Sequence, residues 1–223
     1  MFSLPRANKK KKHLVLEGNI GTGKSSVLAE LQRKHPEFTY MCEPLHDFCN
    51  FPNVDGTTLN PLEVFYKHPN NAIVTQLYFL DVYEKRVKAM ENAKELQSVI
   101  VCDRWITSCK TFTDALRKCD YISPFASAYF NQKYMHLEQT LAYAIPDAIY
   151  LIDTPLDICM ERQKQRGRTM ETEFSQMREY MKQLELCFND IPEVFGTKCI
   201  VQKSIGSTIE QRVSEIEQLI ARM

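Results

Sequence analysis

The sequence predicts an α/β fold built on a five-stranded parallel sheet with helices on both faces. Three observations predict it. Five short apolar segments recur along the chain, separated by stretches of helical periodicity. Those segments run mainly apolar rather than alternating, as strands buried on both faces do. A glycine cluster lies between the first apolar segment and the first helical one, where a parallel sheet binds its ligand.

The elements follow in order. Residues 1–12 read as a flexible basic tail ending in the lysine run Lys9–Lys12, and 13–223 read as a single domain. The first strand is 13–17, His-Leu-Val-Leu-Glu, and a helix covers 25–34. The second strand is 38–42. Residues 46–60 are rich in Asn, Pro, Gly and Thr and read as loop. From 61 to 96 the pattern is helical, with a break near Pro69. The third strand, 98–102, is Ser-Val-Ile-Val-Cys. A long helix is expected over 123–144, where Phe125, Tyr129, Tyr134, Leu137 and Leu141 recur near helical spacing. The fourth strand is 148–152, helices cover 155–165 and 173–189, the fifth strand is 198–202, and a final helix covers 207–222.

Composition narrows the function. The 223 residues carry 28 Lys+Arg and 28 Asp+Glu, so there is no overall basic footprint for nucleic acid. No apolar run approaches the roughly 20 residues of a membrane span. The eight cysteines form no CxxC pair, and no signal-peptide core opens the chain. They read as reduced and mostly buried, in a cytoplasmic setting, with the Lys9–Lys12 run leaving a nuclear address open.

The sharpest motif is Gly18-Asn19-Ile20-Gly21-Thr22-Gly23-Lys24-Ser25, which fits GxxxxGK[ST] between a strand and a helix. Glycines let the backbone turn its N–H groups inward, and these, with the helix N-terminus, stabilise a polyphosphate. Lys24 adds a point charge, Ser25 offers a hydroxyl to Mg²⁺, and Ser26 follows in the same turn. These features make a P-loop fold and a nucleoside triphosphate site.

No NKxD segment for reading guanine occurs, which argues against a GTPase. Glu43, at the end of the second strand, is placed to take a proton from an attacking hydroxyl. The third strand ends in Asp103-Arg104: the acid is placed to hold Mg²⁺ with Ser25, and the arginine to hold a phosphate oxygen and orient Glu43. Arg162, Arg166 and Arg168 run off a helix end through Gly167. They read as a lid, about 162–172, that excludes water and neutralises spreading charge.

In these residues the chain resembles the deoxyribonucleoside kinase family, which includes deoxycytidine kinase and mitochondrial thymidine kinase. The resemblance covers roughly 13–190: the phosphate loop, Glu43-Pro44, the strand-end acid and arginine, and the lid with Glu171 after it. It implies ATP-dependent 5′-phosphorylation of a deoxyribonucleoside, with Mg²⁺ as cofactor. Glu43 would be the general base, Arg104 would contact the acceptor end and the phosphates, Arg166 and Arg168 would hold phosphates, and Arg162 would lie near the adenine. Tyr66 and Glu171 would read the sugar 3′-hydroxyl, and Gln76 the base edge. A homodimer through the helices 70–92 and 123–144 is also implied.

The chain departs from the family in places. Asp103-Arg104-Trp105 stands where Glu-Arg-Ser is usual, and Phe48 where a tryptophan is common. In the deoxycytidine kinase branch an Asp after the strand-end acid helps hold an arginine that favours cytosine or a purine; here those places are Cys109 and Tyr83. Losing both charges leaves room for a thymine methyl, so a pyrimidine preference is expected, with thymidine, deoxycytidine or both as substrate. Two other readings compete. A nucleoside monophosphate kinase resembling thymidylate kinase would share the Asp-Arg pair and lid. A catalytically dead nucleotide-binding regulatory module would not need Lys24, Glu43, Asp103 and Arg104 intact.

Overall fold

The computed structural model describes residues 11–93 and 95–223. Of the expected tail, residues 1–10, with Lys9 and Lys10, lie outside the described residues. Lys12 opens the first strand, β1 (Lys12–Glu17), rather than ending a tail, and its Nζ donates to the Ile220 carbonyl at 2.8 Å.

The glycine loop leads from β1 into α1 (Lys24–Lys34), and β2 (Thr39–Met41) follows. The stretch read as loop over 46–60 is more regular than its composition suggests. It holds most of α2 (Leu45–Cys49) and an antiparallel hairpin of β3 (Phe51–Pro52) and β4 (Thr58–Leu59). Asn60 caps α3 (Pro61–Lys67): its side chain accepts from the Glu63 N–H at 3.1 Å, and Pro61 takes a helical position that needs no donor. The break near Pro69 is a single 3₁₀ turn (Pro69–Asn71), after which α4 (Ala72–Asn92) runs on.

β5 (Val99–Asp103) passes through Arg104 and Trp105 into α5 (Ile106–Lys118), a helix absent from the sequence reading. Its threonines, Thr107, Thr111 and Thr113, have weak helix propensity. Burial of Ile106, Cys109, Ala115 and Leu116 overrides that preference. The long helix α6 is Pro124–Thr140 rather than 123–144. Its buried residues include Phe130, Tyr134 and Leu137, whereas Phe125 and Tyr129, expected on that face, are exposed.

The chain ends with β6 (Ala148–Leu151), α7 (Leu156–Arg166), α8 (Thr169–Thr172), α9 (Met177–Asn189), α10 (Ile191–Phe195), β7 (Ile200–Lys203) and α11 (Ile209–Arg222). The helix expected over 173–189 thus begins later, at Met177, and the last strand is shifted from 198–202.

The sheet is five-stranded and parallel, in the order β2-β5-β1-β6-β7. Alternate residues of β1 enter different cores. Val15 packs with Ile100, Cys102 and Ile149 under α4, α5, α6 and α9. Leu14 and Leu16 pack with Val101 and Tyr150 under α1 and α11. Both faces are therefore buried, which is why the strands read apolar. Leu16 stands opposite Asp103, and Glu17 opposite Leu151, so the carboxyl ends of β5, β1 and β6 open on one edge. The chain leaves β1 toward β2 on one side and β6 lies on the other, making that edge the crevice where such sheets bind ligands.

All eight cysteines are free; four of them, Cys102, Cys109, Cys159 and Cys187, are buried and Cys42 is exposed, so fewer are buried than expected. Among the described residues no helix is long and apolar enough to cross a membrane.

Candidate active site

The phosphate loop is held from behind. Asn19 Nδ2 donates to the Met181 carbonyl of α9 at 2.8 Å, while its Oδ1 accepts from the Ile20 N–H. Gly21 has φ 83°, and a Cβ there would sit 2.5 Å from the Cys159 carbonyl oxygen, so the loop can approach α7 only with glycine. The Thr22 carbonyl accepts from Thr154 Oγ1 and from Arg212. α1 starts at Lys24 with no side-chain cap and no acid in its first turn, leaving its leading N–H groups for an anion. Lys24 Nζ folds over the loop and donates to the Gly18 and Asn19 carbonyls, each at 2.9 Å. Burial, reinforced by the neighbouring Arg104 charge, lowers its pKa to about 8.

Ser25 Oγ donates to Asp103 Oδ2 at 3.0 Å, and Asp103 Oδ1 is buried without a partner. A hydroxyl and an orphaned carboxylate oxygen, side by side at the mouth of a phosphate loop, fit Mg²⁺, a hard cation that takes few protein ligands beside phosphate and water. Among the described residues no cluster of three or more His, Cys, Asp or Glu competes for a metal.

Arg104 has a left-handed backbone, φ 62°, and its N–H donates to the Leu16 carbonyl of β1 at 3.1 Å. This unusual conformation for a non-glycine residue turns the side chain back into the crevice. Its Nε lies 3.2 Å from Glu43 Oε1, and its Nη1 lies 3.6 Å from Glu17 Oε2. The guanidinium sits 4.8 Å from the Phe112 ring centre. Glu43 is part-exposed toward the cavity, whereas Glu17 is 0% exposed. Glu17 Oε1 accepts from Thr107 at 3.0 Å and Ser108 at 2.6 Å; burial raises its pKa and the Arg104 charge opposes that. In the sequence Glu17 opens the stretch 17–26 that resembles the family's phosphate loop, with no role of its own. Its signal is a carboxylate that ends the apolar run 14–16, next to the first loop glycine.

A cavity of about 330 Å³ opens beside these groups. Phe48, Tyr66, Gln76, Tyr83, Cys109 and Glu171 all line it. So do Ile20, Gly21, Gly23, Lys24, Ser25 and Ser26 of the phosphate loop, and Glu43, Asp103 and Arg104. Gly18, Asn19 and Thr22 of the same loop do not line it. Phe48 packs on Phe79, a wall residue the sequence did not flag, with ring centres 4.0 Å apart; Tyr83 meets Phe48 edge-on at 5.6 Å. Burial pushes the Cys109 thiol and the Tyr83 phenol well above their usual pKa ranges, so this wall is uncharged. The Gln76 side chain is buried at this wall.

The segment expected to form a lid packs against the phosphate loop through Arg162. Arg162 Nη1 donates to the Gly21 carbonyl at 3.3 Å. α7 ends at Gly167, whose left-handed conformation (φ 67°) turns the chain toward Arg168 and α8. Arg166 Nη2 donates to both Glu171 oxygens, at 2.7 and 2.6 Å, and Arg168 Nη1 to one at 3.3 Å. The Tyr66 phenol is buried nearby, and burial followed by the Glu171 charge raises its pKa.

Known proteins resemble this chain in sequence and in fold. The family model described as deoxynucleoside kinase matches residues 14–222. A deoxyguanosine kinase of Dictyostelium discoideum is 25% identical over 208 residues, covering 92% of this chain and 64% of that protein. The mitochondrial deoxyguanosine kinase of Xenopus laevis is 24% identical over 180 residues, covering 72% of this chain and 66% of its own length. The chain thus spans just under two thirds of these relatives. Among solved structures, a deoxyadenosine kinase from M. mycoides with the products dCMP and dCDP superposes with a TM-score of 0.74 at 16% identity, covering 95% of this chain and 100% of that one. The same enzyme with dATP bound gives a TM-score of 0.73 at 18% identity, over 94% of this chain and 99% of that one. At such identity the superposition speaks for the fold, a P-loop kinase sheet; the family model, matched from β1 to the end of α11, speaks for descent, and by it this chain belongs to the deoxynucleoside kinase family.

Proposed function

We propose that the protein transfers the γ-phosphoryl group of ATP to the 5′-hydroxyl of a deoxyribonucleoside, preferring a pyrimidine base. The observation that carries this reading is the Glu43–Arg104 pair, 3.2 Å apart, set between the phosphate loop and an aromatic-walled cavity. The nucleoside lies in the cavity with its base near Phe48 and Gln76 and its sugar between Tyr66 and Glu171. Glu43 accepts the 5′-hydroxyl proton as the oxygen attacks. Arg104 orients Glu43 and meets the transferring phosphoryl group. Lys24, Arg166 and Arg168 stabilise charge on the phosphate oxygens. Ser25 and Asp103 would hold Mg²⁺, which when bound supplies charge neutralisation to the polyphosphate. Arg162, packed on the phosphate loop, is placed on the donor side.

A nucleoside monophosphate acceptor fits less well. Next to Glu43 the cavity wall offers Leu45 and Phe48, and every cation lining it stands on the donor loop, on the lid or at Arg104. The pyrimidine preference rests on the uncharged wall at Cys109 and Tyr83, with Gln76 the one carboxamide among the described lining residues. A purine preference is the second reading, because the relatives are deoxyguanosine and deoxyadenosine kinases. An ATP-consumption assay over the four natural deoxynucleosides, with thymidylate as the rival acceptor, tests both. Higher kcat/KM for deoxyguanosine or deoxyadenosine than for thymidine removes the pyrimidine reading. Turnover of thymidylate but not thymidine removes the nucleoside reading.

A homodimer through α4 and α6 is part of the proposal: Val74 on α4 and Phe125, Tyr129 and Met135 on α6 are large apolar side chains left exposed. Light scattering of the wild type and of Phe125→Glu/Tyr129→Lys tests it, a monomeric wild type being the contrary result. A reducing, cytoplasmic setting is proposed on the eight free thiols.

A further inference from the structure

Arg104 is held by two carboxylates of different kinds. Glu43 reaches it from the cavity side and is part-exposed; Glu17 reaches it from inside the fold and is wholly buried. Glu17 occupies the last position of β1, where the neighbouring residues Leu14, Val15 and Leu16 are all core. An apolar side chain would serve stability there at least as well, since a buried charge pair seldom repays its desolvation. The carboxylate is nevertheless built in with care. Thr107 and Ser108, on the first turn of the helix that follows Arg104, both donate to Oε1 and leave Oε2 facing Nη1. Oε2 and Nη1 are both buried without a hydrogen-bond partner, their 3.6 Å separation being longer than a hydrogen bond. The arginine is therefore drawn toward Glu17 without being captured by it.

We propose that Glu17 is a positioning residue for Arg104: anchored by Thr107 and Ser108, its carboxylate draws the guanidinium inward and keeps it from collapsing onto Glu43. The inference rests on the proposed roles of Glu43 and Arg104 and adds to them the group that sets their spacing. Glu43 needs a free oxygen to take a proton, and an arginine with no second counter-charge would pair with it fully. Glu17 shares the guanidinium, and the Phe112 ring limits its travel on another side. The left-handed backbone at Arg104 fixes where the side chain starts, and Glu17 fixes where it ends.

The test is steady-state phosphotransfer from ATP with thymidine and deoxycytidine. Glu17→Gln keeps an acceptor for Thr107 and Ser108 and removes only the charge. The expected result is a fall in kcat of about 10², the usual cost of misplacing a reacting group, with both KM values unchanged. In an Arg104→Lys background Glu17→Gln should add no further loss, because the two act as one unit. Should Glu17→Gln fail to fold, Thr107→Val/Ser108→Ala leaves every charge in place and loosens the anchor, and should also lower kcat alone. Full kcat in the folded variant, losses that multiply in the Arg104→Lys background, or a rise confined to KM would overturn the proposal. A wild-type enzyme that phosphorylates no deoxynucleoside would instead overturn the parent reading, a distinct result.

Discussion

Arg166 and Glu171 form a two-pronged ion pair, with one guanidinium nitrogen 2.7 and 2.6 Å from the two carboxylate oxygens. The acid is buried at 2% exposure, and Arg168 leans on it as well. The group proposed to hold the sugar thus also ties down the two arginines of the proposed lid. Glu171→Gln should raise nucleoside KM at least tenfold, since a hydrogen bond to a charged group is worth about 1.5–3 kcal/mol. The variant should also lose discrimination against a 3′-deoxy analogue. Kinetics with paired 3′-hydroxy and 3′-deoxy substrates check this; unchanged discrimination would take Glu171 out of sugar recognition.

Glu43→Gln keeps shape and a hydrogen-bond acceptor beside Arg104 but cannot take the proton. Its kcat should fall by about 10²–10⁴, while nucleoside binding measured by calorimetry stays near wild type. Retention of most of the wild-type kcat would remove Glu43 as the base.

Arg166→Ala and Arg168→Ala should each lower kcat strongly, because the charge they supply matters most in the transition state. If both variants changed only nucleoside KM, these side chains would belong to acceptor binding alone.

Lys24 carries a pH signature. Its pKa is depressed to about 8, first by burial and then by Arg104. In the free enzyme it loses its proton as pH rises through that value, so ATP affinity should weaken above about pH 8. The sign for stability is opposite. The unfolded chain keeps this proton up to its ordinary lysine pKa, so between the two values the lysine's contribution to stability grows with pH. ATP titrations and melting curves from pH 7 to 10 separate the two effects; ATP affinity flat across that range would contradict the first.

Gly21→Ala and Gly167→Ala should differ. At Gly21 the new Cβ meets the Cys159 carbonyl at 2.5 Å, so the loop must move and ATP binding should be lost. At Gly167 nothing stands closer than 4.0 Å, and only the left-handed backbone (φ 67°) is penalised, at about 1–2 kcal/mol. A modest drop in melting temperature with ATP binding retained is expected there. Equal loss of ATP binding in both variants would refute the distinction.

Five parallel strands, the phosphate loop between the first strand and helix, and the polar groups at the strand ends are legible in the chain alone. Those features are local. Apolar runs, glycine spacing and a lysine-serine pair depend on neighbours within a few residues, and the physics that selects them acts over that range. Helix α5 was not legible, because its threonines carry weak helix propensity and only burial against α4, α6 and α9 outweighs it. The tertiary structure also decided which face of α6 is buried. Helical spacing allows more than one stripe, and packing chose Phe130, Tyr134 and Leu137 over Phe125 and Tyr129. It decided the place of Glu17 too. In sequence that residue is one acid before a glycine; in the fold, parallel pairing of β1 with β5 brings it to Arg104, Thr107 and Ser108, some 90 residues away. Contacts of that separation are fixed by strand register and core packing, which no local window of the chain contains.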